Sequence, residues 1–179
     1  MTVTPTDTLP EVLIVEPTVH RDGRGFFVET YHDPRYRQAG IDVTFVQDNH
    51  SRSTRGTLRG LHWQVAPHPQ AKLIRVLAGE ILDVAVDIRE ASPTFGQWAS
   101  VTLSADNFRQ LFLPVGFAHG FLVLSDVADV EYKCSDVYDQ PSERGLMWND
   151  PAIGIDWPVA DPILSNRDRT HPPLAALRV

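Results

Sequence analysis

Between Ile81 and Arg89 the apolar residues Leu82, Val84, Val86 and Ile88 alternate strictly with Asp83, Ala85, Asp87 and Arg89. A period of two places successive side chains on opposite faces of an extended chain, so this stretch reads as a half-buried strand. Related patterns recur at Glu11–Glu16, Phe26–Tyr31, Phe45–Asn49, Leu58–Gln64, Lys72–Leu77, Gln97–Leu103, Gln110–Pro114, His119–Leu124 and Val130–Tyr138, about ten strands in all. The 14 prolines and 11 glycines are spread between these runs, as turn residues are. Connections such as Ala78-Gly79-Glu80 are too short for the crossover helix that parallel strands need, so the strands run antiparallel. Only Pro34–Ala39, with Asp33 at the N-cap and Gly40 closing it, and the tail after Pro173 read as helical. The expectation is an all-β antiparallel sandwich or jelly-roll barrel with minor short helices.

No linker, repeat or low-complexity tract interrupts the 179 residues, and the whole chain, 1–179, reads as one domain. A net charge of −7 repels nucleic acid and anionic membrane, so no nucleic-acid partner is expected and an anionic ligand needs a locally basic pocket. Cys134 is the single cysteine, which excludes an internal disulfide framework and thiolate metal clusters and fits a reducing cytoplasm. No apolar run approaches the roughly 20 residues of a membrane span. The first residues, MTVTPTDTLPEV, lack the basic and then apolar run of a signal peptide, so the chain reads as cytoplasmic with no membrane partner.

Between Asn49 and Gly79 there is no aspartate or glutamate, yet Arg52, Arg55, Arg59, Lys72 and Arg75 all fall there. Two readings stay open: a basic strip answering acids elsewhere, or an anion site. His50, His62 and His68 in the same window favour the second, because imidazole titrates near neutrality and guanidinium matches phosphate geometry. A phosphorylated small molecule is then the expected ligand. A metal is not: His62 is followed by Trp63 and Gln64, so a His-x-His pair is broken, and the window supplies no carboxylate ligand.

Arg59-Gly60-Leu61-His62 followed by Gln70-Ala71-Lys72-Leu73 resembles the dTDP-4-dehydrorhamnose 3,5-epimerase family. The resemblance runs nearly end to end. It takes in Asp22-Gly23-Arg24-Gly25-Phe26, Gln47-Asp48-Asn49-His50-Ser51, Asp87-Ile88-Arg89 with Ser92-Pro93-Thr94-Phe95-Gly96, Gly116-Phe117-Ala118-His119-Gly120-Phe121, and Asp150-Pro151 leading to Asp156-Trp157-Pro158. It implies a cupin-type jelly roll, a homodimer, and action without metal or organic cofactor on a dTDP-4-keto-6-deoxyhexose. Carried over by position, His62 oriented by Asp168 would be the general base, Tyr132 the general acid, and Lys72 would lie near the C4 oxygen. Arg24, Glu29, Gln47, Asn49, Arg59, His119, Glu143 and Arg167 correspond to substrate contacts, and Tyr138 to the aromatic that stacks on thymine. Trp63 stands where the family more often has tyrosine or phenylalanine, and Arg167 where it often has lysine.

The residue types suit the chemistry. Epimerisation beside a ketone removes a proton from carbon, leaves an enolate and returns a proton to the opposite face, which calls for a base and an acid on opposite sides of the sugar. A histidine paired with a carboxylate, a tyrosine hydroxyl and a lysine ammonium supply the base, the acid and the enolate stabiliser. Inversion of both C3 and C5 is the expected outcome, with inversion of one carbon as the alternative. A non-catalytic cupin that binds a sugar nucleotide is the competing reading of another class. Parity would put Tyr132, Cys134 and Tyr138 on one face of an unbroken strand. Arg59 and His62 have opposite parity, so a common pocket needs a bulge, for which Gly60 is the candidate.

Overall fold

A computed structural model describes residues 1–177. Its strands are β1 (Thr2–Pro5), β2 (Leu13–Glu16), β3 (Val19–Asp22), β4 (Gly25–Val28), β5 (Gln47–Thr54), β6 (Leu58–Gln64), β7 (Lys72–Ala78), β8 (Glu80–Asp87), β9 (Trp98–Ser104), β10 (Gln110–Leu113), β11 (Phe117–Val123), β12 (Val127–Cys134) and β13 (Glu143–Gly145). One helix, α1 (Asp33–Gln38), and 3₁₀ turns at Gln140–Ser142 and Leu174–Ala176 complete the described elements. A six-stranded sheet in the order β1-β2-β10-β7-β12-β5 faces a five-stranded sheet in the order β13-β6-β11-β8-β9, and β3 and β4 form a separate hairpin. Every strand pairing is antiparallel. From β5 to β13 the chain changes sheet at each connection except β8 to β9. The short Ala78-Gly79-Glu80 turn therefore passes the chain between sheets instead of closing a paired hairpin. This is the expected all-β antiparallel jelly roll.

Apolar side chains fill three zones. Ile74, Val76, Ile81, Leu103, Leu111, Phe121 and Val130 pack between the sheets. Leu58, Leu61, Trp63, Val84, Val86 and Leu122 form the outer face of the smaller sheet, covered by Leu146, Ile153 and Trp157 of the chain's last third. Tyr36 and Ile41 cover the outer face of the larger sheet at Val15, Leu73 and Phe112.

The strand that gives the clearest alternation corrects its simplest reading. β8 is buried on both faces: Val84 and Val86 pack under the covering segment, whereas Ile81 and Ala85 face the other sheet. Asp83 and Asp87 share that inward face, and both are fully buried. Burial opposes the Asp87 charge, but hydrogen bonds from Arg89, Ser92 and Thr94 outweigh it and hold the carboxyl well below the usual range. Arg89 also reaches Glu11 through two 2.8 Å bonds and lies 4.5 Å from the Phe117 ring centre. The Asp87-Ile88-Arg89 and Ser92-Pro93-Thr94 motifs are thus a buried ionic clasp on the loop between β8 and β9.

Other boundaries shift as well. His32, not Asp33, is the N-cap of α1, with Asp33 in its first turn. The strand expected to reach Tyr31 ends at Val28, and the one expected over Phe45–Asn49 starts at Gln47 and runs on to Thr54. β12 ends at Cys134, so Tyr138 is not on the strand that carries Tyr132. β1, β3 and β13 lie outside the expected strands. The tail after Pro173 contains one 3₁₀ turn, and its last two residues lie outside the described residues.

The proposed bulge at Gly60 is present. On β11, His119 pairs with His62 and Phe121 with Arg59, so three steps on β6 match two on β11. Gly60 has φ +116°, and a Cβ there would lie 2.6 Å from both Gly120 Cα and His119 O. Only a residue without Cβ fits, because its neighbours are backbone atoms that cannot rotate away. Gly60→Ala should destabilise the fold by about 2–4 kcal/mol, lowering the thermal midpoint by roughly 5–15 °C. Thermal unfolding followed by circular dichroism measures this, and an unchanged midpoint would contradict the close approach.

Candidate active site

A cavity of about 540 Å³ opens between the two sheets at the end where β5, β6 and β12 meet the chain's last third. Its first wall belongs to the larger sheet. Gln47, Asn49 and Ser51 recur at every second residue of β5, Tyr132 sits on β12 opposite Asn49, and Lys72 sits on β7 opposite Cys134. Its second wall belongs to the smaller sheet: Arg59, His62 and Gln64 on β6, His119 and Phe121 on β11, and Glu143 on β13. The bulge brings Arg59 and His62 onto one wall despite their opposite parity. Tyr138 and the segment Ser165, Arg167 and Asp168 close the mouth.

His62 and Asp168 are 106 residues apart, and His62 Nε2 lies 2.6 Å from Asp168 Oδ1. A carboxylate only accepts, so Nε2 carries the proton and Nδ1 the free lone pair. Burial raises the affinity of Asp168 for a proton, but hydrogen bonds from His62 and from Ser165, whose Oγ is 2.8 Å away, prevail and keep the carboxyl below its ordinary range. On the opposite wall, burial pushes the Tyr132 phenol up, with Cys134 as a second contribution. The phenol therefore stays protonated, and its hydroxyl has no hydrogen-bond partner among the described residues. Burial pushes the Lys72 ammonium below its ordinary range, opposed by the nearby Cys134, Glu143 and Asp83. A weakened ammonium beside a neutral phenol is a good donor pair for a developing oxyanion.

The basic window resolves into two parts. Arg52 binds Asp129, Arg55 binds Asp126 and Arg75 binds Glu131, all acids of β12 or the turn before it. His50 also meets Asp129, and His68 meets Asp136. For these residues the basic strip answering acids elsewhere is the right reading. Arg59 and Lys72 have no carboxylate partner within ion-pair distance among the described residues, and both line the cavity. Arg59 is anchored by Ser53 Oγ at 2.9 Å.

Of the residues expected at the site, His62, Tyr132, Asp168, Lys72, Gln47, Asn49, Arg59, His119, Tyr138, Glu143 and Arg167 all line the cavity. His119 is hydrogen-bonded to the buried Asp83. Glu143 accepts from the Tyr138 hydroxyl at 2.9 Å and from Arg167. The Tyr138 main-chain N–H donates to Gln47 Oε1 at 2.8 Å, which fixes that ring although β12 has ended. Arg24 and Glu29 are not brought to the cavity. Arg24 pairs with Asp22 at the hairpin tip with its side chain 91% exposed, and Glu29 pairs with Arg35.

Sequence reasoning left out Ser51, Trp63, Gln64, Gln70, Phe121 and Ser165, which also line the cavity. Ser51 closes the Gln47-Asp48-Asn49-His50-Ser51 motif, two residues beyond Asn49, and its period-two position on β5 is the available signal. His171 was missed as well. Its ring meets His62 edge-on, with ring centres 5.3 Å apart, and its Nε2 is 3.5 Å from Asp168 Oδ1. Burial, followed by the charge of His62, holds this imidazole below its ordinary value. No spacing signal links position 171 to position 62.

A model of the dTDP-4-dehydrorhamnose 3,5-epimerase family matches residues 6–176 of this chain. The dTDP-4-dehydrorhamnose 3,5-epimerase of Shigella flexneri is 55% identical over 161 residues, covering 89% of each protein. A crystal structure of a 3,5-epimerase from Legionella pneumophila, in complex with dTDP-4-keto-L-rhamnose, superposes with a TM-score of 0.94 at 49% identity, covering 99% of this chain and 94% of that one. A 3′-monoepimerase from Streptomyces bikiniensis in complex with dTDP-quinovose superposes with a TM-score of 0.90 at 38% identity, covering 96% of this chain and 87% of that one. With a family match over almost the whole described chain and a two-walled cavity that gathers the residues the family motifs mark, this protein belongs to the dTDP-4-dehydrorhamnose 3,5-epimerase family.

Proposed function

We propose that this chain inverts C3 and C5 of dTDP-4-dehydro-6-deoxy-D-glucose to give dTDP-4-dehydro-L-rhamnose. The observation that carries the reading is the placement of the His62–Asp168 pair on one cavity wall and Tyr132 with Lys72 on the other. His62 Nδ1 takes the proton from the carbon beside the C4 ketone. Charge moves to the C4 oxygen, where the Lys72 ammonium stabilises the enolate. Tyr132 then gives its proton to the opposite face of the same carbon, and solvent returns both groups to their starting states. Asp168 keeps the proton of His62 on Nε2 throughout and stabilises the imidazolium after proton transfer. No organic cofactor is required for this sequence, because every proton has a protein donor or acceptor.

Arg59 supplies cationic charge for the diphosphate, Tyr138 an exposed ring for the thymine, and Gln47, Asn49, His119, Glu143 and Arg167 hydrogen-bonding groups along the cleft. Inversion of a single carbon is the second reading, favoured by the similarity to a 3′-monoepimerase. Incubation with the 4-keto sugar nucleotide in deuterium oxide, with label located by NMR, separates these. Deuterium at C3 and C5 is expected; label at one carbon supports the second reading, and label at neither refutes catalysis. His62→Asn should lower turnover by about 10²- to 10⁴-fold with the fold retained. A folded variant of nearly full activity would place the base elsewhere.

The working unit is a homodimer in this reading. Phe27, 69% exposed, and Arg24 stand on the β3–β4 hairpin, which pairs with neither main sheet. A second copy is the partner that would cover this apolar surface and bring Arg24 and Glu29 to a cavity. Sedimentation equilibrium should give twice the 20.0 kDa chain mass, and Phe27→Asp should shift it toward one chain. A wild-type mass of one chain at micromolar concentration would contradict the dimer.

A further inference from the structure

We propose that His62, Asp168 and His171 form a divalent-cation site, suited to Zn²⁺, whose occupation switches the base off. One ligand atom from each residue, two imidazole nitrogens and one carboxylate oxygen, lies within 4.8 Å of the others. This donor set is the kind that zinc takes in sites with an open fourth position. At zinc–ligand distances of about 2.0–2.1 Å, neighbouring ligand atoms of a tetrahedron are separated by about 3.3 Å. His171 Nε2 and Asp168 Oδ1 already stand 3.5 Å apart. His62 Nε2 and Asp168 Oδ1, now 2.6 Å apart, would have to separate by about 0.7 Å, which follows once the proton between them has gone.

His171 is poised for such a role. Its Nε2 is buried without a hydrogen-bond partner among the described residues, an arrangement that costs free energy unless something else occupies that nitrogen. Its ring rests where a Cβ on Gly145 would stand, 2.1 Å from Cε1, so Gly145 is what admits the imidazole beside its strand partner His62. The neighbouring cation Arg167 is taken up by Glu143 and leaves Asp168 as the local negative charge.

The consequence for the chemistry follows from proton placement. A metal on Nε2 displaces the proton held there, and a neutral imidazole must carry its proton on the other nitrogen. Nδ1, the base in the reading proposed above, then becomes a donor. The ion is thus an inhibitor and not a cofactor. The inhibition rests on that reading; the cation site itself does not.

Metal-free protein titrated with Zn²⁺ against a chromogenic chelator should bind one equivalent with a micromolar or tighter Kd. His171→Leu should weaken this by about 10-fold or more while keeping its circular dichroism spectrum. In wild-type protein, ¹H–¹⁵N NMR of the histidine rings should show His62 passing from the Nε2–H to the Nδ1–H tautomer as zinc is added. Absence of stoichiometric binding, equal binding by folded His171→Leu, or an unchanged His62 tautomer in the zinc-loaded protein would each overturn the site, and the NMR readout decides should that variant not fold. Zinc binding with the tautomer change in a protein that turns over no sugar nucleotide would remove the epimerase reading alone. Turnover without zinc binding would remove the cation site alone.

Discussion

A carboxylate withdrawn from water costs several kcal/mol unless charge and hydrogen bonds replace the solvent, and Asp168 retains only 4% of its surface. His62 and Ser165 provide that replacement. The same contact fastens the chain's last third to β6, closes the mouth of the cavity, and sets the tautomer of the imidazole. In the proposed mechanism, fold closure and chemistry therefore share one hydrogen bond. Loss of the carboxylate would leave the His62 tautomer undetermined, and loss of the imidazole would leave a buried charge without its strongest partner.

The cavity walls extend this logic. A jelly roll is ordinarily filled between its sheets by apolar side chains, and at the Ile74, Ile81, Phe121 and Val130 end it is. At the other end the inward positions are Gln47, Asn49, Ser51, Arg59, His62, Lys72, His119 and Tyr132. Such an interior is sustained by local pairing, His119 with Asp83 and Gln47 with Asn49, and by an apolar layer moved to the outside of the smaller sheet. Ser51 Oγ, on the cavity wall, is a buried polar atom without a partner among the described residues, as befits a group that meets a ligand. In the proposed mechanism, facing sheets solve the stereochemical problem of epimerisation, because a base and an acid on opposite walls address opposite faces of a flat enolate.

Fold class was readable because turn spacing and period-two alternation survive in β8 and β9, and the site motifs were readable because they are contiguous. The failures share a cause. β5 is only half legible since its inward residues Gln47, Asn49 and Ser51 line a polar cavity and carry no hydrophobic period. β8 was read as half-exposed since the sequence does not reveal that Asp83 and Asp87 find partners inside. Tyr138 was placed on the strand of Tyr132 because nothing in Ser135-Asp136-Val137 marks the end of β12 as strongly as the ladder does. His171 meets His62 only through the return of the chain's last third, a long-range contact with no local signature. Arg24 was legible as a motif residue and Glu29 as a position carried over from the resemblance, yet a single chain does not bring them to its own cavity.

The central claim is that Tyr132 supplies a proton to the face opposite His62. In Tyr132→Phe the ring and its packing remain, and only the donor is deleted. His62 can still form the enolate and return a proton, drawn from deuterium oxide, to the original face. NMR of the product should then show deuterium entering with configuration retained while net inversion falls by about 10²-fold or more, so the ratio of exchange to inversion rises steeply. A folded Tyr132→Phe protein with the wild-type ratio would contradict the two-walled acid–base account.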